Sequence, residues 1–303
     1  MSSTGRSWNR AAVTGCLLVV VAIGAAVAWP PPEVPEGATP TVPLTVATTT
    51  TTTDPLAEAT LGSAGPDTPT PARPATVLLV GDSEAGGLAP FLKSVLAPIG
   101  VTTVTVADKV SSGLARPDFF DWPRRLGALM TEVAPDIVVV MIGGNDAQPL
   151  LAADGSLIAR LDLASPEAWQ AEYRLRIDEL IDLASIGQTR VIWVGIPNAR
   201  GAEFNRKLTV LDATVRDALR DRPAVTFVDA RRRFATRSGK WTKSIVDPAD
   251  GRRKVVRASD GFHLNPAGAT ILAHDVAIAV VNELRIRGAD VTLGSSPSAP
   301  PGS

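Results

Sequence analysis

Between residues 75 and 287, short β-branched runs alternate with longer segments whose apolar positions recur at helical spacing. Residues 76–80, 101–106, 136–142, 191–196 and 225–228 read as buried strands, and 88–96, 122–133, 166–185, 205–219 and 266–284 as helices. This alternation, with right-handed crossovers, predicts an α/β fold: a three-layer α/β/α sandwich on a five-stranded parallel sheet. Ligands on such sheets collect at the carboxyl ends of the strands, so chemistry is expected in the loops that follow them. One stretch, 235–258, breaks the alternation. There Trp241, Asp247-Pro248, Asp250-Gly251 and Val255-Val256 suggest a hairpin-like insertion, either a wall of a substrate cleft or a surface excursion.

The flanks abandon the pattern. Arg6 and Arg10 precede an uncharged, mostly apolar run from Ala11 to Ala28, which ends at Trp29-Pro30. As a helix this run rises about 27 Å, just enough for a hydrocarbon core of about 30 Å. Trp8 and Trp29 bracket it as interfacial anchors, and the arginines favour a cytoplasmic N-terminus. Residues 1–29 are therefore expected to form a signal anchor, with everything after Trp29 outside the cytoplasm. The small-x-small pattern Ala26-Val27-Ala28 leaves a second outcome open, cleavage near Ala28 and secretion. Residues 30–74, dominated by Pro, Thr, Ala and Gly with an unbroken run from Thr48 to Thr53, read as a solvated linker. Residues 288–303 read as a disordered tail.

Charge and cysteine usage narrow the classes further. With 30 Lys plus Arg against 31 Asp plus Glu there is no global field to recruit nucleic acid. Cys16 is the single cysteine, which excludes an intrachain disulfide and a cysteine-rich zinc site.

Candidate chemistry sits at the strand ends. Gly81-Asp82-Ser83 follows the first strand and opens a helix, placing the Ser83 hydroxyl at a strand-to-helix turn. Free N–H groups at such a turn favour the negative charge of a tetrahedral acyl intermediate, although a serine there can also simply cap the helix. A serine hydroxyl needs a base to react at neutral pH. The chain has two histidines. His274 lies inside the last helix among Ile271, Leu272, Val276 and Ile278 and reads as a packing or surface residue. His263 precedes Asn265-Pro266, a helix N-cap followed by proline at the first helical position, so the helix start fixes the loop that presents it. Asp260, three residues earlier, can accept a hydrogen bond from the other ring nitrogen.

Three more blocks fall at matching places: Ser112-Gly113 after the second strand, Gly143-Gly144-Asn145-Asp146 at the end of the third, and Asp260-Gly-Phe-His263 before the last helix. With Gly81-Asp82-Ser83 they resemble the four blocks of the SGNH (GDSL-type) hydrolase family, and the likeness spans the whole domain. The resemblance implies a flavodoxin-like fold and a serine esterase that needs no cofactor and no metal. It makes Ser83 the nucleophile and His263 the base, oriented by Asp260, and builds an oxyanion hole from the N–H groups of Ser83 and Gly113 and the side chain of Asn145. The substrate it suggests is an extracytoplasmic ester, with acyl or O-acetyl groups of cell-envelope polysaccharide first. O-acyltransfer by the same site, or a catalytically idle domain that binds glycans or partner proteins, are the alternatives.

Some residues depart from that pattern or stand beside it. Glu84 occupies a place where the family commonly has leucine; it is either an acid favoured in a helix's first turn or a cleft-facing group that opposes anionic substrates or tunes the base. Asp82 and Asp146 read as turn-fixing acceptors. The segment 116–122, with Phe119, Phe120 and Trp122, forms either an aromatic wall over the cleft or a plug under the next helix. The run Gly81 to Gly87 does not match G-x-G-x-x-G, and no G-x-S-x-G elbow surrounds Ser83, which disfavours a dinucleotide site and an α/β-hydrolase serine.

Overall fold

The computed structural model describes residues 68–294. The expected signal anchor, nearly all of the expected linker and the end of the expected tail lie outside the described residues. In chain order the elements are β1 (Ala75–Gly81), α1 (Ser83–Leu96), a 3-10 turn, β2 (Thr102–Asp108), α2 (Trp122–Val133) and β3 (Ile137–Met141). Two short strands, β4 (Leu150–Leu151) and β5 (Leu157–Ala159), precede α3 (Glu167–Ala184), β6 (Arg190–Val194), α4 (Ala202–Leu219), β7 (Val225–Val228) and the one-turn α5 (Ala230–Arg233). The chain closes with β8 (Ser244–Val246), β9 (Arg253–Val255) and α6 (Pro266–Ile286).

Five strands form one parallel sheet in the order β2-β1-β3-β6-β7, as the alternation predicted. The first crossover leaves β1 toward one edge and the next returns past it to the other. The chain therefore switches direction between β1 and β3, and a crevice opens at their carboxyl ends. Successive β1 residues face opposite layers: Val77 and Leu79 join the core under α1 and α6, Leu78 and Val80 the core under α2 and α3. All four are fully buried, which at roughly 1.5–3 kcal/mol per aliphatic side chain explains why the strand reads as a continuous apolar run. Helix α6 is long and apolar enough to cross a bilayer, but 67% of its most apolar window is buried inside the fold; it is the central helix of one layer, packed against α1.

Helix α1 begins at Ser83, where the Gly81-Asp82-Ser83 turn was expected to open a helix, although the apolar spacing marked only residues 88–96. Gly86, Gly87 and Pro90 weaken the helical signal over its first turns, yet Gly86 is what the packing admits, since a Cβ there would stand 2.8 Å from the Asp108 carboxylate. The antiparallel pair β4–β5 was not foreseen, being too short to carry a periodicity. The insertion at 235–258 does contain an antiparallel hairpin, β8–β9. Residues on both sides of the 75–287 segment pack against it: the Thr68 hydroxyl donates to the Arg287 carbonyl, and Ala289 and Val291 are buried.

Candidate active site

The turn between β1 and α1 is made by close approach. A Cβ on Gly81 would lie 2.0 Å from the Met141 carbonyl oxygen, so only glycine lets β1 sit this near β3 just before the helix starts. The helix cap is Asp82, whose Oδ1 accepts the Glu84 N–H at 3.0 Å. Ser83 is thereby freed from capping and stands at the first helical position. Its own N–H is one of those that an α-helix leaves without an intrahelical partner.

Asp82 does more than fix its turn. Its Oδ2 accepts the N–H groups of Gly143 (3.2 Å) and Gly144 (2.9 Å), binding the β1–α1 turn to the loop that carries Asn145. Desolvation by burial pushes its carboxyl up to about 6 despite the Glu84 N–H, and the nearby Asp146 charge adds to the rise. Asp146 has a parallel long-range role. It accepts the Leu114 N–H (2.9 Å), the Ala115 N–H (2.8 Å) and the Tyr173 hydroxyl (2.8 Å). Burial raises its pKa, with those three donors opposing the shift. This packing also dictates Gly113, because a Cβ there would come within 2.0 Å of Asp146 Oδ1. Asn145 donates its side-chain N–H to the Ser112 carbonyl at 2.9 Å, so one amide hydrogen holds the Gly113 loop and the other remains for a ligand.

Ser83 Oγ lies 3.0 Å from His263 Nε2, across a sequence separation of 180 residues. His263 Nδ1 lies 2.6 Å from Asp260 Oδ2. The other oxygen of Asp260 accepts the N–H groups of Phe262 (2.8 Å) and His263 (3.1 Å), which fixes the carboxylate relative to the imidazole it faces. Burial favours the neutral form of Asp260, but the Phe262 N–H and the His263 ring and N–H together outweigh it and hold the carboxyl below its ordinary value. A serine, an imidazole and a carboxylate in one hydrogen-bonded line can move a proton from the hydroxyl to the ring while the carboxylate steadies the resulting charge. Among the described residues no group of three or more His, Cys, Asp and Glu side chains is arranged to hold a metal ion.

Sequence reading missed what holds the histidine loop. Arg257 is 3% exposed; its guanidinium donates to the Phe262 carbonyl (2.8 Å), the Asn198 side chain (2.7 Å) and the Phe234 carbonyl (3.0 Å). Burial depresses its pKa to about 10 against the charges of Glu84 and Asp260. Nothing local marks this arginine out from the exposed ones around it. Arg257→Lys keeps the charge but loses the planar fork, and is expected to cost about 2–3 kcal/mol of stability. Urea unfolding would measure that loss; a change below about 0.5 kcal/mol would mean that the fork does not hold the loop.

The other candidates sort by burial. Trp122 is the plug, 1% exposed with its ring N–H on the Ser112 hydroxyl at 2.9 Å, and Phe120 meets it edge-on. Phe119 is 50% exposed, with Lys109 Nζ 5.6 Å from its ring centroid. His274 lies half-buried on α6, beside a cavity of about 980 Å³ that none of Ser83, Asp260 and His263 lines. The 235–258 insertion reaches the histidine loop indirectly: Arg200 lies over the Trp241 ring and donates its backbone N–H to the Gly261 carbonyl. Glu84 points inward and is 4% exposed.

Comparison with known proteins adds the following. A family model described as a protein of unknown function, DUF459, matches residues 76–279. No curated protein matches the sequence. A proposed acylhydrolase from Bacteroides fragilis superposes with a TM-score of 0.50 at 16% identity, over 70% of this chain and 91% of that one. A GDSL-like lipase from Bacteroides thetaiotaomicron gives 0.48 at 14% identity, over 68% and 88%. The C-terminal catalytic domain of peptidoglycan O-acetyltransferase A from Streptococcus pneumoniae gives 0.42 at 15% identity, over 70% and 96%. At such identities the likeness is one of fold. The first superposition and the strand order agree on an α/β fold built on a five-stranded parallel sheet, the fold of that acylhydrolase.

Proposed function

The chain belongs to that DUF459 family, and from the chemistry of its site we propose that it is a serine ester hydrolase. The observation that carries the reading is the unbroken line Ser83 Oγ, His263 Nε2, His263 Nδ1, Asp260 Oδ2, with spacings of 3.0 and 2.6 Å, beginning at the N-terminus of α1. In this mechanism Ser83 Oγ attacks the ester carbonyl carbon as His263 takes the hydroxyl proton. The developing oxyanion is met by the Ser83 and Gly113 N–H groups and the free hydrogen of the Asn145 amide, with the α1 dipole behind them. His263 then returns the proton to the departing alcohol, leaving an acyl-Ser83 ester. Water, deprotonated by the same imidazole, releases the acid and restores the serine.

The substrate we propose is an ester outside the cytoplasm, with O-acetyl or other acyl groups of cell-envelope polysaccharide first. The support is the run Ala11 to Ala28 behind Arg6 and Arg10, followed by a Pro/Thr-rich spacer, which suits a catalytic domain held at a membrane surface or released from it.

Full-length wild type is expected to be labelled at Ser83 by a fluorophosphonate and to turn over p-nitrophenyl acetate, while Ser83→Ala does neither. Mass spectrometry of the labelled peptide identifies the site. A folded wild type that is neither labelled nor active would end the esterase reading.

A further inference from the structure

Glu84 is buried immediately after the nucleophile, and its Oε1 has no hydrogen-bond partner among the described residues. It lines a cavity of about 30 Å³ whose walls also include Ser83, Leu88, His263, Leu264 and Leu272. With 4% of Glu84 exposed, the carboxyl is shut off from bulk water, and the space beside it has room for only about one or two water molecules. The charged groups that face it are Asp82, on the turn before α1, and Arg257 and Asp260, on the segment that carries His263. Two of these are acids, and the Arg257 guanidinium is committed to the Phe262 and Phe234 carbonyls and to Asn198. Burial first, then the Asp82 charge, raise Glu84 to about 8, with Arg257 opposing and Asp260 adding to the rise. At neutral pH the residue beside the nucleophile is therefore an uncharged acid.

Resting on the esterase reading, we propose that Glu84 is a positioning residue whose proton keeps the triad aligned and the oxyanion site unopposed. Uncharged, Glu84 leaves Arg257 to clamp the Phe262 carbonyl next to His263. Ionised, it becomes a buried anion without a donor of its own, and the nearby cation is Arg257, whose Nε is likewise buried and unpartnered among the described residues. Drawing that guanidinium toward Glu84 slackens its hold on the histidine loop. The same charge stands one residue from the Ser83 N–H that must receive the negative acyl oxygen. Both effects lower the rate and neither requires Glu84 to touch the substrate, so the change falls on kcat more than on KM.

The test is the pH profile of p-nitrophenyl acetate turnover by the full chain, corrected for spontaneous hydrolysis, for wild type and Glu84→Gln. Wild-type kcat is expected to fall about tenfold or more between pH 7 and 9.5 with KM little changed, whereas Glu84→Gln holds its rate within about twofold. A wild-type profile without that limb, or the same limb in Glu84→Gln, overturns the proposal. A wild type that is inactive and unlabelled at every pH instead removes the esterase reading, and this one with it. Should Glu84→Gln not fold, carboxyl carbon NMR of wild type replaces it: a Glu84 midpoint matching the kinetic limb supports the proposal, and a mismatch refutes it.

Discussion

Replacing His263 by glutamine is expected to lower ester turnover by about 10⁴- to 10⁶-fold, to a residual rate that Ser83→Ala shares and the double variant does not reduce further. The reason is the geometry of the line: Ser83 Oγ has one base at 3.0 Å, and glutamine at that place can accept a hydrogen bond but cannot carry the proton to the leaving group. Asp260→Asn leaves the ring in place but turns a carboxylate acceptor into an amide against Nδ1, and is expected to lose about 10⁴-fold. Initial-rate kinetics on p-nitrophenyl acetate check all three. Losses that multiply in the double variant would show that serine and histidine act separately, which the proposed mechanism does not allow.

Asp146→Asn is expected to be the most costly change outside the triad. The carboxylate receives two backbone N–H groups and the Tyr173 hydroxyl in a fully buried position. An asparagine offers one acceptor oxygen and brings an NH₂ toward donors, leaving at least one buried donor unpaired. The expected loss is about 2–4 kcal/mol of stability, read as a fall in urea midpoint. Because Leu114 and Ala115 follow Gly113 directly, loosening them also displaces the Gly113 N–H, so surviving folded protein should lose roughly a further 10²-fold in kcat. Tyr173→Phe removes a single bond and serves as the control, at about 1 kcal/mol with near-normal rate. Equal losses in the two variants would place the stabilisation in the tyrosine and not in the backbone donors.

The contrast between Asp146 and Ser83 shows what kind of information a chain displays on its face. The strands β1, β3 and β6 were legible because burial on both faces makes nearly every position apolar, a signal contained within about five residues. The blocks at Gly81, Ser112, Gly143 and Asp260 were legible because each sits where a strand ends or a helix begins, and turn chemistry is local. Asp82 and Asp146 were legible as turn-fixing acceptors but not as long-range ones, since those partners lie 61–62 and 31–32 residues away and nothing in a turn residue reveals a distant donor. Arg257 was hidden for the same reason, its burial being a property of the packed histidine loop. The start of helix α1 was legible from its turn but its first turns were not legible from periodicity, because their glycines and proline lower intrinsic propensity, while tertiary packing against β2 and α6 overrides it. Glu84 was noticed as a departure, but its inward orientation required the fold.

Ser83 and His263 lie at opposite ends of the folding unit: Ser83 follows the first strand of the sheet, and His263 immediately precedes α6, which packs on α1. During synthesis from the N-terminus, the serine therefore emerges long before the imidazole that the proposed mechanism gives it as base. A nascent chain whose C-terminal helix is still within the ribosome or a translocation channel carries only an ordinary alcohol. On the proposed mechanism reactivity arrives with the last docking event, and a product truncated before Pro266 would be inert toward esters.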